Sequence, residues 1–420
     1  MIVDFTIKNF RSIKDELTLS LVATENHTEN EDKITHLSMF NFNLLKSSVI
    51  YGANASGKSN IILALLYLKQ FILNSTDIKL GQQIPFYEPF CLDTECIFEP
   101  TVFEIEIVIA ENRYIYCLKY ELSRVVFESL VKFNNEKEYL VFERNKQEIK
   151  FGKILKGKKS HLVAELLENQ LFITKGANSN LDILKDVYLF FVINVKVDVQ
   201  TETNNLLLKN FLIQTSNYHY DNEQLLENKI QIERFLKSAD TGISEIKFHK
   251  KYVNDNSTID SVIYEPILIH DKYEGDKLIG GVEFKLNQES KGTIKMFELA
   301  LMVLNVINKG HILIIDELDA SFHPLLTEYI LSLFNDSIHN PNSAQLIFTT
   351  HETSILTFQN FREDQIWFTE KDKFGASTLF SLAEFEKNDI RQSKSLQNWY
   401  LSGRFGGLPM IDKLEMYEIH

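Results

Sequence analysis

Cysteine is nearly missing from this chain. Its 420 residues include three, Cys91, Cys96 and Cys117, in no C-x-x-C pair. That spacing indicates neither a disulfide framework nor a zinc site. Glycine and proline are scarce as well, 16 and 7, about 5% together against a usual ~12%. Collagen-like, proline-rich and Gly/Ser-linker architectures are thereby excluded. No apolar run reaches the ~18 uncharged residues of a membrane span. Asp4 and Lys8 interrupt the first eight positions, so no secretory leader is expected there. The chain reads as soluble, reduced and cytoplasmic, with no membrane partner. Positive charge is also in deficit: 44 Lys+Arg face 58 Asp+Glu, a net charge of −14. Whole-surface attraction to nucleic acid is not expected at that charge, so any such contact must be local. One local candidate exists, because seven basic residues lie between Arg144 and Lys159 against the single acid Glu148. The stretch is either a phosphate-contacting loop or a solvated hairpin followed by a polar turn.

What is present is ordinary globular material. Hydrophobic residues make up 44% of the chain, enough for a sizeable core in two or three domains. Ile2–Lys8 alternates apolar and polar as a strand does, and 16–22 looks like a second strand. Leu45–Tyr51 is a buried strand running into a glycine-containing loop, and Asn60–Leu73 has helical length. Five strand-like segments follow, at Val102–Ile109, Tyr114–Tyr120, Val125–Phe133, Tyr139–Phe142 and Glu148–Phe151. Short polar turns separate them, which predicts an antiparallel sheet. Helices are expected at His161–Asn169, Leu206–Ile213 and Glu223–Lys237, with an apolar piece at Tyr188–Val199. Strands return at Ile246–Tyr252, Ser261–Ile269 and Gly281–Leu286. Met296–Asn308 and Leu325–Phe334 read as helices, and His311–Ile315 and Ala344–Thr350 as buried strands.

Four motifs carry chemistry. Gly52-Ala-Asn54-Ala55-Ser56-Gly57-Lys58-Ser59 fits the eight-position phosphate loop without a mismatch. Glycine lets backbone N–H groups approach phosphate oxygens, and the following helix offers its positive end. Lys58 is a mobile charge for the β- and γ-phosphates, and Ser59 supplies a hydroxyl to Mg²⁺. The run Ile312–Ile315 ends in Asp316 and Glu317. There Asp316 suits Mg²⁺ and Glu317 suits polarising the attacking water. The strand Gln345–Thr350 ends at His351, which is either a plain hydrogen-bonded polar group or a γ-phosphate contact. Ser290-Lys-Gly292 opens the helix ahead of the acid strand, as a backbone anion cradle or a simple serine cap.

In this order the motifs resemble the ABC-type ATPases of the SMC, RecF and OLD group, and the match spans residues 8–351. The resemblance identifies Ser290 and Gly292 as the signature motif and Asp316 and Glu317 as the Walker B acids. It makes Leu318-Asp319-Ala-Ser321 the D-loop and His351 the switch histidine. The start Lys8-Asn9-Phe10-Arg11-Ser12-Ile13 is similar to the group's nucleotide-contacting turn, so Arg11, Ser12 and Asn60 join the expected ATP contacts. It implies an α/β fold, a two-lobed ATPase head made of a phosphate-loop sheet and an antiparallel lobe, with a helical insertion. The corresponding boundaries are 1–160, 161–240 and 241–420. It also implies head-to-tail homodimers in which Ser290 and Gly292 of one copy cap ATP held by Lys58 of the other. The signature departs from Leu-Ser-Gly-Gly-Gln, which argues against a transporter subunit. Glu223–Lys237 is too short for a long coiled coil. The 69 residues after His351 lack the acid pattern of a TOPRIM nuclease. More narrowly, Glu317–Pro324 and the tail Trp399–Pro409 resemble the RloA- and AriA-like ATPases of bacterial anti-phage and abortive-infection loci. That resemblance implies a separate effector, a TOPRIM-like nuclease, and a phage protein as trigger. A RecF-like DNA-binding ATPase is the alternative. The tail around Arg404 is either a partner-binding peptide or a C-terminal turn.

Overall fold

The computed structural model describes residues 1–24, 30–134, 137–198, 222–238, 242–253, 261–320, 322–385 and 395–407. The expected helix at Leu206–Ile213, the D-loop residue Ser321 and the tail residues Leu408 and Pro409 lie outside them. The chain forms two compact units, Met1–Val199 with Gly310–Ala320 and Leu331–His420, and Gln200–Lys309 with Ser321–Ile330. Residues 161–199, expected as the beginning of an arm, belong to the first unit.

The first unit opens with β1 (Ile2–Lys8), β2 (Leu17–Ser20), the short pair β3 (Ile34–Thr35) and β4 (Leu44–Leu45), and then β5 (Ser47–Gly52) and α1 (Lys58–Asn74). A meander follows: β6 (Thr101–Ile109), β7 (Asn112–Tyr120), β8 (Val125–Asn134), β9 (Lys137–Asn145) and β10 (Glu148–Phe151). Three short helices, α2 (Ser160–Glu165), α3 (Phe172–Asn178) and α4 (Asp182–Leu189), lead to β11 (Val195–Asp198). The second unit holds α5 (Asn222–Ser238), β12 (Ile243–Val253), β13 (Ser261–Glu274), β14 (Lys277–Lys285) and α6 (Lys291–Lys309). The remaining elements are β15 (Ile312–Ile315), α7 (Pro324–Asn335), β16 (Gln345–Thr349), β17 (Ile366–Lys371), β18 (Ser377–Ser381) and α8 (Leu396–Leu401).

The result is a mixed α/β fold. Seven strands make one antiparallel sheet in the order β10-β9-β8-β7-β6-β1-β2, and six make a mostly parallel sheet, β11-β15-β16-β5-β17-β18. Every residue of β15, β16 and β5 is buried. That is why these strands read as continuous apolar runs rather than alternating ones. Helix α1 shares one apolar cluster with both sheets. Ile61, Ile62, Ala64, Leu65, Leu68, Phe71 and Ile72 join Phe103 and Tyr120 of one sheet and Ile314 and Ile347 of the other. A helix buried on several sides explains why its sequence shows length without a clean stripe. In the second unit β12, β13 and β14 form an antiparallel sheet. Phe235 and Leu236 of α5 are fully buried, and Glu233 accepts the Ile246 N–H at 2.7 Å.

Two local expectations need correction. His161–Asn169 is not one helix, because the helix ends at Glu165. Arg144, fully buried, donates to the carbonyls of Leu167, Glu168 and Gln170, pulling them out of helical pairing. Asn169 and Gln170 are buried as well and donate to the carbonyls of Lys79, Gln82, Thr76 and Ile78. The apolar piece Tyr188–Val199 divides into the end of α4, a wide turn over Phe190–Asn194, and β11 on the edge of the parallel sheet.

Candidate functional site

The site lies at the carboxyl ends of three neighbouring parallel strands, β15, β16 and β5, in the first unit. In register, Ile315 stands beside Phe348 and Thr349 beside Ile50. The loops leaving these strands therefore emerge side by side, which is where open α/β sheets bind ligands.

The phosphate loop leaves β5. Gly52 has φ 156° and Gly57 φ 116°, conformations that suit glycine. A Cβ at Gly52 would stand 2.3 Å from Thr369 Oγ1, and one at Gly57 would stand 2.3 Å from Ser377 Oγ. The glycines are thus required from behind, by β17 and β18. Asn54 and Ala55 on the loop are exposed, while Ser56 is buried with its hydroxyl 2.5 Å from Thr369 Oγ1. Lys58, at the start of α1, folds over the loop. Its Nζ donates to the carbonyls of Gly52 at 2.9 Å and Ala53 at 3.1 Å. Burial lowers the Lys58 pKa to about 8, opposed by the charges of Asp316, Glu317 and Asp319. The next residue, Ser59, is half-buried in the first turn of α1.

The acids follow β15. Thr349 joins them to β16: its hydroxyl donates to Asp316 Oδ1 at 2.6 Å and accepts the Glu317 N–H at 2.7 Å. Glu317 has φ 54°. For a non-glycine residue this backbone costs on the order of 1 kcal/mol and is held by its surroundings. His351 follows β16, with Nε2 3.8 Å from Glu317 Oε1. Burial, and after it the Lys58 charge, lowers the His351 pKa below its usual value. A neutral imidazole near pH 7 follows, so the contact with Glu317 is not an ion pair there. Asp319 accepts the His351 backbone N–H at 3.2 Å.

The N-terminal turn completes this side. Ser12 Oγ accepts from Asn60 Nδ2 at 2.6 Å and is hydrogen-bonded to Ser377 Oγ at 2.8 Å. Ser377 Oγ also meets the Ser56 carbonyl at 2.6 Å. The Arg11 side chain is held by Glu88 at 2.5 Å, and Glu88 accepts the Tyr67 hydroxyl at 2.7 Å. Ser290 and Gly292 belong to the second unit. Ser290 Oγ accepts the Thr293 N–H at 3.1 Å, the serine cap of α6. Both residues are exposed, and among the described residues a Cβ on Gly292 would meet only Ser290 Oγ, at 3.6 Å. Among the described residues nothing demands glycine at that position.

The structure thus gathers Lys58, Ser59, Asp316, Glu317, Asp319 and His351 on one set of strand ends, with Ser12 and Asn60 at the helix start. Thr349, Thr369 and Ser377 went unnoticed in the sequence. A threonine inside a buried strand and a serine 365 positions from its partner Ser12 carry no local signal. The tail around Arg404 is expected to be either a partner-binding peptide or a C-terminal turn. It packs behind the loop: Tyr400 and Phe405 stack on Phe368 at 5.4 Å, and the Tyr51 ring lies 5.8 Å from Tyr400. Gly407 sits against Gly52 Cα.

The residues fit a magnesium–nucleotide complex. A lysine ammonium occupied with loop carbonyls is available to phosphate, and Ser59 and Asp316 are the hard oxygen donors Mg²⁺ prefers. Among solved structures, the SMC head domain from Thermotoga maritima matches at 12% identity and TM-score 0.41, over 90% of this chain and 98% of its own. Comparison with curated proteins gives no match. A family profile described as "AAA domain, putative AbiEii toxin, Type IV TA system" matches residues 47–357. That range runs from the strand before the phosphate loop to beyond His351, and the chain belongs to this AAA family.

Proposed function

We propose that this protein is an ATP-hydrolysing head that closes as a nucleotide-bridged homodimer and regulates a separate effector in bacterial anti-phage defence. The observation that carries the enzymatic part is the convergence of Lys58, Asp316, Glu317 and His351 on adjacent strand ends. ATP supplies the phosphoanhydride and Mg²⁺ the Lewis acid. Lys58 holds the β- and γ-phosphate charge. Ser59 and Asp316 hold the metal. Glu317 accepts a proton from water on its carboxylate, with Thr349 fixing its backbone and His351, neutral, beside it. Arg11, Ser12 and Asn60 line the helix start, and Asn54, Ala55 and Gly57 would offer backbone N–H groups to the phosphates, the Ser56 N–H being held by the Ala53 carbonyl at 3.2 Å.

The dimer is supported by the exposed Ser290 and by Gly292, whose missing side chain makes room for no neighbour among the described residues. A second copy's phosphates would use that space. Nucleotide then drives closure only by its greater affinity for the paired state. The defence role is supported by the family description, which names a toxin–antitoxin system, and by the likeness of the tail to RloA- and AriA-like ATPases. On this reading the effector is a separate chain, a TOPRIM-like nuclease, and the trigger a phage protein. The experiment is a phage plating assay with the neighbouring gene present. Protection lost with Lys58→Ala supports the reading, and equal plating with and without the substitution contradicts it.

A further inference from the structure

We infer that the outer edge of the seven-stranded sheet, β10 with the loop that follows it, binds the phosphodiester backbone of a nucleic acid. The inference does not rest on the nucleotide site.

The structure sorts the basic residues of this stretch. Arg144 is fully buried against Glu128 at 3.4 Å. Lys159 donates to the Leu155 carbonyl at 2.5 Å and lies over the Phe151 ring. The other five, Lys146, Lys150, Lys153, Lys156 and Lys158, are exposed, and among the described residues none makes an ion pair. Two exposed carboxylates share the edge, Glu148 and Glu143, the latter opposite Lys150 in the ladder. The edge therefore carries a net +3 on a chain of −14.

These lysines stand on a built platform. The Gly152 N–H donates to the Val141 carbonyl at 2.9 Å. A Cβ on Gly152 would fall 1.6 Å from the Leu140 carbonyl oxygen, so the chain leaves β10 pressed flat on β9. Leu155 is 3% exposed and anchors the loop in the main core. Edge strands often carry lysine to prevent sheet-to-sheet association, but that role needs only Lys150, because Lys153, Lys156 and Lys158 lie past the strand. A protein partner would use apolar or aromatic anchors, and interfaces are depleted in lysine. Here Ile149, Phe151, Ile154 and Leu155 are all at least half-buried. A row of point charges without anchors matches repeating phosphates and reads no sequence.

The test is fluorescence anisotropy of the full chain with a labelled duplex DNA of about 30 base pairs, a single-stranded RNA of similar length, and poly-glutamate. Four to five phosphate contacts predict an affinity loss of about a hundredfold between 50 and 200 mM salt. Replacing Lys150, Lys153, Lys156 and Lys158 with glutamine weakens binding at least tenfold and flattens the salt dependence. The four lysines changed to arginine keep both, and ATP turnover is unchanged throughout. Tighter binding to duplex or to RNA names the source of the phosphates. Poly-glutamate bound as tightly as either nucleic acid overturns the inference, and so does unaltered binding by the glutamine variant or absence of binding at 50 mM salt.

Discussion

At the scale of single residues, Lys58 gives the sharpest expectation. Its ammonium is buried and its pKa lies at about 8 in the free protein. Phosphate stabilises the charged form and raises that pKa, so binding above pH 8 requires proton uptake. ATP affinity is therefore level below pH 8 and falls by up to about tenfold per pH unit above it. Titration of nucleotide affinity from pH 7 to 9.5 checks this, and a flat profile would show that Lys58 is not the titrating contact. Thr349 is a positioning residue for both acids. Thr349→Val removes the hydroxyl that orients Asp316 and accepts the Glu317 N–H, and turnover falls about 10–100-fold. ATP affinity stays within a few-fold, a split between kcat and KM that general misfolding would not produce. The placing of Lys58, Ser59, Asp316, Glu317 and His351 beside strand ends was legible in the sequence, because each follows an apolar run or the loop that leaves it. Thr349 was not, because its role depends on two strands meeting in register.

At the scale of elements, the buried pair Glu128–Arg144 locks the antiparallel sheet to the helices after it. Glu128 accepts the N–H groups of Phe172 and Ile173 at the start of α3, and the Tyr116 hydroxyl at 3.1 Å. Arg144→Met leaves that carboxylate buried without its charge partner and costs about 3–5 kcal/mol, measured as a lower urea midpoint. A loss below 1 kcal/mol would mean that water reaches Glu128. This pair also explains why the helix expected over His161–Asn169 ends at Glu165: the carbonyls that follow are taken by a competing donor, Arg144 on β9. The tail is a second such element. Phe405→Ala removes the ring stacked on Phe368 behind the phosphate loop, and stability falls by about 3 kcal/mol. Nucleotide affinity falls with it, read by calorimetry at a temperature where the variant is folded. Unchanged affinity would reduce the tail to packing alone. Its aromatic composition was visible in the sequence, but its place against β17 was not, because neither β17 nor β18 was recognised as a strand.

At the scale of the whole molecule, the phosphate loop and the Ser290–Gly292 motif lie 231 positions apart, counted from Ser59 to Ser290, and in different units. The first is complete within its unit. The second, Ser290 with Gly292, is exposed and makes sense as a surface offered to another copy. The antiparallel meander and the buried strands of the parallel sheet followed from hydrophobic runs and turns, and the α/β class from the family that the ordered motifs resemble. The unit boundary did not, because the second unit is inserted into the first and returns to it twice. The central claim is that nucleotide joins two copies and Glu317 releases them. Light scattering of Glu317→Gln with ATP and Mg²⁺ measures this directly, with Ser290→Arg in the same background as control. The account predicts a stable dimer for Glu317→Gln that ADP does not form, and a monomer that still binds ATP once Ser290→Arg is added. A Glu317→Gln protein that stays monomeric with saturating ATP, or that dimerises equally with Ser290→Arg present, would contradict it.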